Sequence, residues 1–151
     1  MGIWRFIEVI GPLATAIAVV VAAWQIREAK KQAVTDFEDD LDREYREIIN
    51  KIPVKALLGE ELNEQEYQEA LTYLYQYVDL SNNQVFLRQA GRVSGKTWVF
   101  WRDGIKSNLS REPFRRAWKE IKEKAQPSFS ELKRLENSDF RDDPRKSTKS
   151  Q

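Results

Sequence analysis

The chain has no cysteine and no histidine among its 151 residues. Without cysteine there is no disulfide, no thiolate nucleophile and no cysteine-ligated zinc. Without histidine the usual general base at neutral pH is missing, along with the imidazole metal ligand and every Ser–His or Cys–His pair. Any chemistry would fall to Asp, Glu, Lys, Ser, Tyr or Arg alone, so the expectation is a protein that is not an enzyme and holds no cofactor. Residues 13–52 contain neither glycine nor proline. The formal net charge is +1, which by itself singles out no partner.

What the chain does have is an uncharged run, VIGPLATAIAVVVAAW, at residues 9–24. As a helix these sixteen residues span about 24 Å, slightly short of a bilayer core of roughly 30 Å. Trp4 and Trp24 lie about 30 Å apart along a helix and suit the two membrane interfaces. Three readings compete. A cleaved signal peptide is suggested by Val21-x-Ala23, but the basic residues follow the apolar run instead of preceding it. A buried soluble helix would need more surrounding chain than is present. A transmembrane helix over 9–26 is favoured, after a short N-terminus, 1–8, outside the cytoplasm. Arg27, Lys30 and Lys31 then place the C-terminal bulk in the cytoplasm of a bacterial inner membrane. Ala14, Ala18 and Ala22 recur every four residues. That spacing lets helix backbones approach in lipid, although alanine is common in membrane spans.

Beyond the run, Val34, Phe37, Leu41, Tyr45 and Ile48 keep an a/d-like stripe, predicting an amphipathic stalk over 27–52 that ends before Pro53. Val34, Phe37 and Leu41, with the three alanines, are the candidate assembly residues of a homo-oligomer or a complex with a membrane protein. A helical domain is expected over 53–136. Asn63-x-x-Glu66 is a capping box, opening a helix with Tyr67, Leu71, Leu74 and Val78 inward. Gly91 suits its C-terminal cap. Ser94 and Ser110 are candidate caps for helices carrying Trp98, Trp101, Ile105 and Leu109, then Phe114, Ala117, Trp118, Ile121 and Ala125. A short helix from Ser128 follows, and from Asn137 to the end a disordered charged tail. The fold class is all-α: a transmembrane helix, a stalk and a small cytoplasmic bundle. The polar stretch DLSNNQ, 79–84, could break the third helix, cap a second half, or bond inside the bundle.

Ala90-x-x-x-x-Gly95-Lys96-Thr97 is one residue from a phosphate-binding loop. Such a loop needs a strand before it and a parallel sheet around it, and neither is predicted. The favoured reading is a helix–helix connection that binds no nucleotide. The acidic run DFEDDLDREYRE lacks the glycine-turned loop of a calcium site and reads as a solvated face. Charge is segregated: residues 34–80 carry 13 acidic and 4 basic side chains, residues 81–124 carry 11 basic and 4 acidic. The basic face includes Arg88, Arg92, Lys96, Arg102, Arg115 and Arg116. Its candidate partners are the acidic stalk, the anionic lipid surface, or nucleic acid with Trp98 and Trp101 stacking. The stalk is favoured, since that charge is already in the chain.

Residues 77–121 hold Asp79-Leu80, Asn82 to Gln84, Gly91-Arg92, Thr97-Trp98 and Phe114 to Trp118. This arrangement resembles a family of small bacterial single-pass membrane proteins with a helical domain of unknown function. The resemblance covers about a third of the chain and implies architecture, not activity. A looser likeness to membrane-anchored helical defence proteins related to HEPN nucleases implies a nucleic-acid-sensing alternative. Those nucleases use an Arg followed closely by a His, which this chain lacks. An enzyme built on Asp79 and the 79–84 carboxamides would have no nucleophile–base pair.

Overall fold

A computed structural model describes residues 3–147, with side chains from Ala14 to Lys146. Among the described residues the chain is all-α, without strands: α1 (Ile3–Ile49), α2 (Val54–Leu57), α3 (Glu64–Gln89), α4 (Gly95–Ser110), α5 (Glu112–Lys124), α6 (Ser130–Asn137) and α7 (Pro144–Ser147). The chain divides into two compact units, Met1–Phe37 and Glu38–Gln151.

The described part of the first unit is a stretch of α1. Every residue from Ala14 to Arg27 is exposed. Among the described residues no helix is long and apolar enough to cross a membrane. The first five residues of the 9–24 run, and Trp4, lie outside the described side chains. Ala14 to Trp24 alone make about 16 Å of helix.

The second unit is built around α3, which packs against α4, α5, α6 and α7, while α2 leans on α5. A helix surrounded on several sides needs more than one apolar stripe. Accordingly Tyr77, Leu80, Val85 and Leu87 are buried on α3 beside the expected Tyr67, Leu74 and Val78, whereas Leu71 is only half-buried. Leu74, Phe114, Ala117 and Leu132 are wholly inaccessible and mark the centre. Tyr77 meets Phe114 edge-on at 5.0 Å between ring centroids, a favoured aromatic geometry.

The local signals act where the sequence put them. Asn63 accepts from the Glu66 amide at 2.9 Å and the Glu66 carboxylate accepts from the Asn63 amide at 3.0 Å, completing the capping box. Gly91, at φ +75°, ends α3. Its N–H donates to Arg88 O and that of Arg92 to Leu87 O, the paired bonds of a Schellman cap that a left-handed residue permits.

Three boundaries differ. Ser110 is the last residue of α4 and does not cap α5; its hydroxyl donates to Ser107 O at 2.6 Å. Pro113 has no N–H for the carbonyl four residues back, so the helix must break before it. Arg111 supplies that break in one extended residue. α6 starts at Ser130 instead of Ser128, because Phe129 takes a left-handed turn that buries its ring edge-on to Trp118 and Tyr75. Residues 138–147 are folded where a disordered tail was expected. α7 packs on α3, and Asp143 bonds the buried Arg88. Charge pairing anchors a segment with few apolar residues.

Candidate interaction surfaces

The polar stretch 79–84 resolves first. α3 runs through it unbroken. Asp79 is exposed, and Ser81 is buried with its hydroxyl donating to Tyr77 O at 2.8 Å. Asn82 Oδ1 accepts from the Leu132 N–H at 3.0 Å. Leu132 is the third residue of α6, whose own N-cap provides no side-chain bond. Asn82 therefore caps α6 from another helix. Gln84 is 4 % exposed and lies against a pocket.

The Gly-Lys-Thr segment is the first turn of α4, capped by Ser94, whose Oγ accepts from the Thr97 N–H at 3.3 Å. An anion already sits there. Glu38 of α1 accepts from the Ser94 N–H and from the Thr97 hydroxyl, both at 2.6 Å. A carboxylate at a helix N-terminus meets free amides and the positive end of the helix dipole, so the chain's own Glu38 takes the place of a phosphate. One turn on, Asp42 Oδ1 accepts from the Trp101 indole N–H at 2.9 Å. We expect Glu38→Ala to cost about 1–2 kcal/mol. Lys96→Ala, at an exposed neighbour, should stay within about 0.5 kcal/mol. Paired urea titrations of the full chain check this, and equal effects would refute the capping role.

The six cations of the basic face do not share one role. Arg88 is buried. Its Nε and Nη2 donate to Asp143 at 2.8 and 2.5 Å, and Nη1 donates to Val93 O at 2.8 Å. The guanidinium bonds hold the Asp143 carboxyl below its ordinary pKa. Arg102 pairs with Asp103 and Arg116 with Glu64; Arg116 also lies 3.6 Å over the Tyr67 ring. Its bond to Glu64 lowers that carboxyl in turn. Arg92, Lys96 and Arg115 are exposed and form no ion pair among the described residues. The favoured pairing of the basic cluster with the acidic stalk needs correction within the chain. Glu38 and Asp42 bond neutral donors. Arg88, Lys106 and Lys122 instead pair with Asp143, Asp139 and Glu136, because the C-terminal segment folds back within reach.

The assembly and interface residues divide as well. Ala14, Ala18, Ala22, Trp24, Arg27, Lys30 and Lys31 are all exposed, with Lys31 Nζ 2.7 Å from Glu28. Val34 and Phe37 are half-buried. Leu41 is 6 % exposed and Ile48 7 %, both in the second unit's core. The stripe is thus closed within the domain from Leu41 onward, because α1 past Glu38 belongs to the bundle.

The residues that carry the family resemblance have structural work. Gly91 turns the chain, Thr97 bonds Glu38, and Trp98, Phe114, Ala117 and Trp118 are buried. In comparison with known protein families, curated proteins and solved structures, the chain matches none of them.

Proposed function

We propose that the protein is a membrane-anchored, non-enzymatic interaction module: a single-pass span over 9–26 tethers the helical second unit, which assembles with itself or with a membrane protein. One observation carries the reading. Ile17, Val19, Val20, Val21, Trp24 and Ile26 are 45–68 % exposed, and all residues from 14 to 27 are exposed around the helix. A helix that is apolar on every face is stable only when something apolar surrounds it, and for an uncharged run lipid is that medium. Arg27, Lys30 and Lys31 then favour a cytoplasmic second unit. The Ala14, Ala18 and Ala22 face supports self-association in the bilayer. The nucleic-acid alternative has less support, since Arg88, Arg102 and Arg116 already hold carboxylates.

The test is membrane retention. The chain should stay in the pellet through alkaline carbonate extraction. Ala18→Arg with Val20→Arg should release it, since each arginine at a span centre costs about 2.5–3.5 kcal/mol. Extraction of the unaltered chain by carbonate would sink the anchor. Native mass spectrometry of the gently solubilised chain tests assembly. A lone monomer at every concentration, with no bound protein, would refute that part.

A further inference from the structure

A pocket of about 100 Å³ opens on the second unit beside Asp42, Tyr45, Gln84, Phe100, Trp101 and Gly104. Four of its nine lining residues are aromatic, Tyr45, Tyr77, Phe100 and Trp101, and Ile105 and Tyr77 are buried. Phe100 is 74 % exposed, which is unusual for a ring that the adjoining core could have covered. None of the lining side chains carries a positive charge.

Gln84 is the telling residue. It is 4 % exposed and lines the pocket; its amide makes no hydrogen bond among the described residues, and it is not one of the fully buried unpartnered groups, which are Gln89 Oε1 and the Trp98 and Trp118 indole nitrogens. An amide without a protein partner at a pocket wall keeps its N–H and C=O available to a ligand. Asp42 has one oxygen bonded to Trp101 and further lone pairs to offer. The Tyr77 hydroxyl is engaged, since it accepts from Asn108 at 3.1 Å. The pocket therefore presents one carboxylate, the Gln84 amide and aromatic rings, with the Asn108 amide already engaged by Arg111 and Tyr77.

A carboxylate beside aromatic faces selects a cation with an apolar body. We propose that this pocket binds a small organic ammonium, its head between Asp42 and the rings, its aliphatic body along Ile105, and Gln84 completing its hydrogen bonding. The volume is below the roughly 150 Å³ of a cavity that holds benzene, so a body of about four carbons fits. This proposal stands apart from the membrane reading and survives its failure.

The probe is n-butylammonium, titrated against the full chain in detergent at constant ionic strength. The readout is the Trp101 indole N–H resonance, assigned by its loss in Trp101→Phe. We expect a saturable shift with a midpoint on the order of 1 mM, at least tenfold weaker binding of 1-butanol, and none of butyrate. Asp42→Asn keeps an acceptor for Trp101 and should weaken butylammonium at least tenfold while leaving 1-butanol unchanged. Gly104 has nothing within 4 Å of where a Cβ would stand. Gly104→Leu should therefore block both alcohol and amine without lowering the melting temperature, since glycine in a helix interior is unfavourable. Repeating the titration in nanodiscs of phosphatidylethanolamine and of phosphatidylglycerol separates two sources. A signal already shifted only in the former supports the site with a lipid head as its ligand, and an unshifted one supports it with a free amine. Equal binding of alcohol and amine, no saturation, or indifference to Asp42→Asn would overturn the proposal.

Discussion

Arg88→Ala is expected to destabilise the second unit by about 2–4 kcal/mol. Three guanidinium nitrogens donate, two to Asp143 and one to Val93 O, and the Arg88 side chain is 8 % exposed against 21 % for Asp143. Breaking a buried pair by removing one partner costs about 3–5 kcal/mol, and the partial exposure of Asp143 discounts that figure. Urea titration of the full chain measures the loss. Hydrogen exchange locates it: amides of residues 138–147 should lose protection first, as their link to α3 is gone. Asp143→Asn should cost less, because Arg88 keeps its bond to Val93 O.

Acid tests the same link with a defined sign. The folded-state pKa of Asp143 lies below its ordinary value. Its contribution is therefore fully present above about pH 4, where the unfolded carboxyl titrates. It fades as pH falls through the lower folded value. Protection of 138–147 should fall below pH 4 in the unaltered chain, and the Asp143→Asn chain should show a smaller step, that of Asp139, whose carboxyl the Lys106 bond also holds below its ordinary value. A step of equal size in both would remove Arg88–Asp143 as its origin.

Phe114→Ala carries the largest expected penalty, about 3–5 kcal/mol. The ring is fully buried and edge-on to Tyr77. Tyr77 is tied to α4 by Asn108, which limits how far the site can collapse into the cavity. Burial drives the Tyr77 hydroxyl well above the ordinary tyrosine range, so the phenol stays neutral. The loss should appear in urea titration as a lower midpoint. Phe114→Leu should recover more than half of it, since volume and apolar area are largely kept. If Phe114→Ala cost under 1 kcal/mol, the centre of the bundle would lie elsewhere.

Much of the second unit was legible in the residues themselves. Asn63 with Glu66, Gly91 and Ser94 act through atoms on their own or adjacent turns, so spacing alone places them. The inward set Trp98, Trp101, Ile105 and Leu109 follows from helical period, which is why the tryptophans read as core and not as a stacking platform. The Gly-Lys-Thr segment was a helix start for the same local reason.

What only the tertiary structure decided depends on partners far apart in the chain. Glu38 reaches Ser94 and Thr97, Asn82 caps α6, and Arg88 finds Asp143. No periodicity announces a hydrogen bond across fifty residues. A charge run reads the same whether it is solvated or paired, so Asp139 and Asp143 read as a disordered tail. Leu41 and Ile48 form the same stripe whether they meet another subunit or their own bundle, and the fold chose the bundle. The Asn63 box, the Ser94 cap and the helical stripes are local, and the sequence determines them. The matching of donors to carboxylates, and the pocket it leaves around Gln84, belong to packing.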